Sequence, residues 1–295
     1  MTGTTSTLRL GAAALALLTL SVTALAANPL DGINMRTLNG LEGPAGGRNI
    51  SNVPIANEPL AGEGLSQIAG YNLRTRSWNI SGDNGIVPIH SHADRPAIVF
   101  TLSGEIYEYR SDVDERLLHS AGGLSLEEGD VTHWWLNEGP EDVRLIAFDV
   151  FNTNSDAMVM TDTPDQQAFD LPEQSDATLE LLGYVDIEAH YDGAQGNGLA
   201  LSAYRAVIEP GGVLPSFVAA GEPLQVWVWQ GSVVEHRSDT GVGTVLLTED
   251  GGHLGHGAQA YWENLGDTPA ELFFGVVEPL SEVDGVPQTG VQAHN

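Results

Sequence analysis

The chain has 295 residues, 42% of them hydrophobic, and a formal charge of -29. That length and apolar content suffice for two domains, each with its own core, while the charge excludes nucleic acid and anionic membrane surfaces as natural partners, since both would be repelled. With no cysteine there is neither a disulfide nor a thiolate ligand, so any metal must be held by nitrogen and oxygen.

The first segment carries Arg9, an apolar run from Leu10 to Leu20, and Ala24-Leu25-Ala26 as a small-x-small cleavage site. It reads as a signal peptide, residues 1–26, on an exported protein of the periplasm or the medium. An uncleaved anchor is the alternative, because Leu10 to Ala27 approaches spanning length. Thr19, Ser21 and Thr23 within it favour cleavage, which removes Arg9 and takes the charge from -29 to -30. Residues 28–66, rich in Gly, Asn and Pro and without helical period, are expected to form an extended arm or loop. From Tyr71 to Val150 short apolar runs alternate with turn signals: Leu73 to Ile80, Ala97 to Leu102, Ile106 to Arg110, Trp134 to Asn137 and Arg144 to Phe151. This spacing predicts an all-β sandwich or barrel.

Within that region, His90 and His92 are one residue apart, and alternate side chains of a strand share a face. His133 follows a Gly-Asp turn on a returning apolar run. Three neutral imidazoles on adjacent strands would hold a metal and leave coordination positions open for water or substrate. Gly85, His90, His92 and Gly104, followed by His133 and Asn137, resemble the two motifs of the cupin superfamily. The resemblance implies a jelly-roll (double-stranded β-helix) barrel and one divalent metal ion. Fe(II) comes first, as in cupin dioxygenases, with Zn, Ni or Mn able to take the same ligands. One departure stands out: the family's usual glutamate ligand falls at Pro96 or Ala97, which implies a three-histidine site or a weakened one.

Asn152 to Ser175, polar and broken by Pro164 and Pro172, reads as a connection between domains. Beyond it the chain repeats itself. At an offset of 127, Gly85, Pro88, Pro96, Val99 and Gly104 fall on Gly212, Pro215, Pro223, Val226 and Gly231. Glu108, Arg110, Ser111 and Asp112 fall on Glu235, Arg237, Ser238 and Asp239, and Trp135 and Asn137 fall on Trp262 and Asn264. The expected architecture is therefore all-β, with two tandem barrels as in a bicupin: residues 27–160, binding metal, and residues 161–295. In the second copy Phe217, Ala219 and Ala260 stand opposite the three histidines and Leu224 opposite Ala97. Apolar side chains can pack where unliganded imidazoles would leave polar groups to satisfy, so that copy reads as structural.

Other residues divide by the same comparison. Asn137, Glu108, Arg110, Ser111 and Asp112 recur in the copy without histidines and read as structural, the Asn serving the turn before Gly139. Arg95, opposite Glu222, suits a substrate carboxylate. Tyr107 offers a phenolic donor and Trp135 a pocket wall. His253 and His256 could form a second site with His236, but the Gly-Gly-His-Leu-Gly-His-Gly stretch reads first as a solvated glycine-rich loop. Two functions fit: an oxygenase-type enzyme acting on a small organic molecule, or a non-catalytic small-ligand module, the second kept open by the lack of an evident general base. An isomerase or hydrolase with Zn, Ni or Mn would use the same ligands. No membrane partner is expected after cleavage, and a homo-oligomer is compatible with the sequence.

Overall fold

The computed structural model describes residues 28–60, 70–93, 95–129, 131–152, 169–187, 198–219, 222–254 and 258–286. The signal peptide, the boundary at 160/161, most of the expected connection, and His190, His256 and His294 lie outside the described residues. No helix among the described residues is long and apolar enough to cross a membrane.

Strands β1 (Met35–Leu38) and β2 (Leu41–Pro44) form a hairpin whose turn, Asn39-Gly40, has φ of 49° and 86°. Two positive φ values in succession are the twist-matched two-residue turn that Asn-Gly favours. Next come β3 (Ile50–Pro59), β4 (Tyr71–Ile80), β5 (Ile86–Ser91), β6 (Ala97–Ser103), β7 (Glu105–Arg110), β8 (Leu117–Ser120), β9 (Leu124–Glu127), β10 (Thr132–Leu136) and β11 (Val143–Asn152). They build a five-stranded sheet, β3-β4-β11-β6-β9, and a four-stranded sheet, β5-β10-β7-β8. Ile80, Val99, Leu145 and Ala147 of the first pack with Val87, Ile106 and Trp135 of the second in one core.

Of the extended arm or loop expected over residues 28–66, the described part, 28–60, holds three strands. Residues of β3 pair with β4 from Ile50↔Ile80 to Pro59↔Asn72, with a bulge between Pro54 and Ala56. Its two prolines and mostly exposed side chains suit a sheet edge, where one row of N–H groups needs no partner, and they also erase the alternation by which a strand is read.

The second half contains β12 (Ser175–Asp186), β13 (Leu199–Pro215), β14 (Leu224–Gln230), β15 (Ser232–Arg237), β16 (Gly243–Leu247), β17 (Gly251–Leu254), β18 (Ala260–Glu263) and β19 (Ala270–Pro279), then a four-residue helix α1 (Leu280–Val283). These strands form one sheet along β16-β15-β18-β13-β19-β14-β17, with β12 on β13. The repeat holds strand by strand: β6, β7, β9 and β11 shifted by 127 give the bounds of β14, β15, β17 and β19. Pairing follows: Ala97↔Glu127 and Glu108↔Trp135 become Leu224↔Leu254 and Glu235↔Trp262.

Two features of the repeat explain residues common to both halves. Gly104 and Gly231 have φ of 81° and 77°, and a Cβ on either would meet backbone about 3 Å away, of Asp142 and Val143 or of Pro269 and Ala270. Asn137 is buried; its Nδ2 donates to the carbonyls of Ile80 and Glu141, and its Oδ1 accepts from the Gly139 N–H. Asn264 makes the same three bonds to Ile208, Thr268 and Gly266. The asparagine closes a turn.

Candidate metal centre

His90 and His133 are direct partners on β5 and β10. His92 lies just past β5, its N–H bonded to the Val131 carbonyl so that the strand direction continues. The three rings converge, with centroids 4.5 to 5.0 Å apart. Each is oriented through Nδ1: His90 to the Pro88 carbonyl at 2.8 Å, His92 to the Arg95 carbonyl at 2.6 Å, His133 to Glu108 Oε1 at 2.5 Å. Carbonyls and carboxylates accept, so each Nδ1 carries a proton, and each ring turns its Nε2 inward. The Nε2 atoms of His90 and His133 are 3.2 Å apart.

A carboxylate completes the cluster. Glu127, buried at the end of β9, places Oε2 3.0 Å from His92 Nε2 and Oε1 3.5 Å from His133 Nε2. Metal–nitrogen and metal–oxygen bonds of about 2.1 Å put neighbouring donors about 3.0 to 3.4 Å apart. The contacts of 3.0, 3.2 and 3.5 Å lie near that spacing, and the ligand atoms of the three histidines lie within 4.8 Å of one another. The cupin pattern puts the carboxylate at Pro96 or Ala97 and does not point to Glu127. Small residues at Ala97, Val99 and Ala147 leave room for Glu127 from the neighbouring strand. The repeat held the signal, because Glu127 stands opposite Leu254 just as the histidines stand opposite Phe217, Ala219 and Ala260.

Behind His133, Glu108 is fully buried and also bonds His119 Nε2 at 2.8 Å and Ser125 Oγ at 3.1 Å, with Arg110 Nη1 at 3.4 Å. A charged pair was expected from Glu108 and Arg110, and it is present; the carboxylate additionally fixes a candidate ligand's tautomer. Electrostatics follow the geometry. Burial, with His133 and His92 adding to it, pushes His90 down to about 3. Burial alone would raise Glu108, but hydrogen bonds from His119 and His133 bring it to about 2. Glu127 is held below the carboxylate range, against its burial, by His133 and His92. His133 moves up because Glu127 and Glu108 outweigh its burial. The two carboxylates therefore favour positive charge among the Nε2 atoms.

A small cavity opens beside the cluster, lined by His90, His92, Glu127 and Trp135 together with Arg76 and Trp78. Trp135 of the expected substrate residues is a wall of it. Arg95 lies beside it, with Nη2 3.5 Å from His92 Nε2 and Nε 3.9 Å from Asp149 Oδ2. Tyr107 does not line it: β7 turns Ile106 and Glu108 inward, and Arg116 stacks on the outward Tyr107 ring at 3.7 Å. Trp134 turns away from the cavity and is buried, stacked on Tyr109 at 3.9 Å. In the second half, His253 is half-exposed and pairs with Glu58 at 2.8 Å, and His236 pairs with Glu263.

No protein-family model matches the chain, and no curated protein does. Among solved structures it is similar to a Pseudomonas aeruginosa protein described as glyoxylate-induced, with 13% identity and a TM-score of 0.53 over 82% of this chain and 83% of that one. It is similar to YhaK from Escherichia coli, with 13% identity and a TM-score of 0.50 over 78% and 93%. The Cupin 2 conserved barrel domain protein from Leptotrichia buccalis aligns at 10% identity and a TM-score of 0.44 over 78% and 89%. At these identities the likenesses are of fold alone.

Proposed function

We propose that this chain is an exported, mononuclear metal-dependent bicupin of oxygenase type that acts on a small organic molecule. His90, His92, His133 and Glu127 would hold the ion. The observation that carries the reading is the set of inward Nε2 atoms, closed by a carboxylate and fixed by three outward Nδ1–H bonds. Two lone pairs at 3.2 Å repel unless a proton or a metal ion sits between them, and the ion would engage all three Nε2 atoms at once. Nitrogen-rich, borderline ligands with one carboxylate suit Fe(II), and Mn, Ni or Zn would also fit. When bound, the ion supplies Lewis acidity and, as iron, access to oxygen chemistry. The chain's part is to orient the ligands through Pro88, Arg95 and Glu108 and to present an apolar wall at Trp135. The strand-by-strand repeat supports two tandem barrels, residues 27–160 and 161–295, of which only the first keeps the ligands.

Elemental analysis of the purified protein, compared with His90→Ala/His92→Ala, tests the reading, followed by oxygen uptake with the metal found. One ion per chain, lost in the double variant, is expected; unchanged stoichiometry in that variant would overturn the site. Intact mass of the exported form should start near Ala27, and a full-length species in the membrane fraction would contradict cleavage.

A further inference from the structure

We infer that the site takes a small substrate bearing a carboxylate and that Arg76 receives that carboxylate beside the metal ligands. The inference rests on the metal-dependent reading above and adds the substrate class. All eleven cationic side chains of the protein are arginines, set against forty acids. Three of the eleven gather at one place. Arg74 grips Asp149 with Nε at 2.9 Å and Nη2 at 2.6 Å, Arg76 Nη2 reaches the same carboxylate at 3.0 Å, and Arg95 Nε lies 3.9 Å away. Three guanidinium groups stand against two buried carboxylates there, Asp149 and Glu127, which leaves one positive charge over in a chain whose overall charge is -29. That reversal of sign is local.

The arginines differ in what they are free to do. Arg74 is engaged in a two-point pair with Asp149 and lies over the Phe151 ring at 4.0 Å. Arg76 commits only Nη2, keeps a buried Nε without a partner, and lines the cavity with His90, His92 and Glu127. Its guanidinium is held 5.1 Å above the Trp78 ring. Arg95 Nε is likewise buried and makes no hydrogen bond. Buried donors without acceptors are costly, and a ligand oxygen in the cavity would satisfy them in place of water. Asp149 thus braces the group, and Arg76 presents the donor.

The second half shows that the fold does not need this cluster. The row Arg74, Asp149, Ala97, Glu127, paired strand to strand, becomes Ser202, Val276, Leu224, Leu254, and Arg76 is matched by Tyr204. The arginines are absent where the histidines are absent. The rest of the lining, Val87, Val99, Leu145 and Ala147, is apolar. A small carboxylate with an apolar body fits that combination.

The experiment compares acids with their amides. Propionate and benzoate, each against propionamide and benzamide, are titrated into the full-length protein as isolated and again after chelation, with tryptophan fluorescence as the readout. Acids should bind at least tenfold more tightly than amides in both states, and Arg76→Met should abolish that preference while leaving metal content per chain unchanged. Equal binding of acid and amide, or an Arg76→Met variant that keeps the preference, would overturn the inference. If Arg76→Met does not fold, the wild-type comparison after chelation decides. Metal content is scored separately: an acid preference in a protein that holds no metal sinks the metal reading and keeps the subsite, and a metal-loaded protein without the preference does the reverse.

Discussion

Ala97 and Glu127 are direct cross-strand partners on β6 and β9, so the carboxylate at the histidine cluster comes from the strand next to the one on which the cupin pattern would carry it. Cross-strand neighbours have Cβ atoms about 5 Å apart and share a face. A longer side chain at one position can therefore serve where the other is truncated.

The first prediction is a carboxylate exchange. Glu127→Ala should lose most of its metal on desalting, and Ala97→Glu/Glu127→Ala should recover it. Ala97→Glu alone brings two carboxylates into one buried space and should lower Tm in metal-free buffer. Full metal retention in Glu127→Ala would remove Glu127 from the ligand set.

Glu108 touches His133 from behind. Partners of this kind typically contribute about 10- to 100-fold in metal affinity, and Glu108→Gln should weaken binding by that amount in a competition titration with a chromogenic chelator. Glu235 occupies the same place in the second half and bonds Trp262 Nε1 at 3.1 Å. Glu235→Gln should leave metal affinity unchanged, and an equal drop in both variants would point to general loosening.

Asn137→Ala and Asn264→Ala should each destabilise the protein by about 2–4 kcal/mol, because each leaves buried backbone groups without a partner. Urea unfolding reads this directly. Folded Asn137→Ala should still carry one metal ion; loss of metal without loss of stability would contradict the turn assignment.

A pH effect is expected at Glu278, in the cluster with Glu222 and Glu282. Burial raises its carboxyl above the ordinary 4.5, with Ser202 and Tyr204 pulling the other way and Glu282 adding to the rise. An acid whose native pKa exceeds its unfolded value binds more protons when folded, so stability falls as pH rises through that interval. The penalty is complete above the native pKa and absent below about 4. Glu278→Gln keeps an acceptor for Tyr204 and should raise Tm by a few degrees near pH 8 while leaving it unchanged near pH 4. A gain of equal size at both pH values would place its cause outside ionisation.

How much of this was legible in the sequence depended on period and on repetition. Strands β4, β6, β7, β10 and β11 alternate or are continuously apolar, and all five were readable as runs between turns. Strand β3 was not, since Pro54, Pro59 and its exposed face give no period. The Asn39-Gly40 hairpin carried a strong local signal inside a glycine-rich stretch that reads as loop. His90, His92 and His133 were legible because the spacing of two of them puts both rings on one face. Glu127 and Arg76 stand alone on their strands, and only the pairing order β4-β11-β6-β9 brings them to the cavity. Tyr107 was ambiguous because its facing depends on the bend at Gly104, which turns it outward.

The largest core joins the halves: Leu73, Phe100 and Phe148 of the first pack with Trp227, Phe273 and Val277 of the second, and residues 32–295 form one compact unit. Gln225 adds a buried tie, donating to the Leu73 carbonyl at 2.8 Å and accepting from Thr75. Neither half can open without exposing the other's aromatic face to water. The halves therefore melt together, and an ion or ligand bound only by the first half shifts the unfolding midpoint of the entire chain. The half without metal ligands supplies cooperativity to the half that has them.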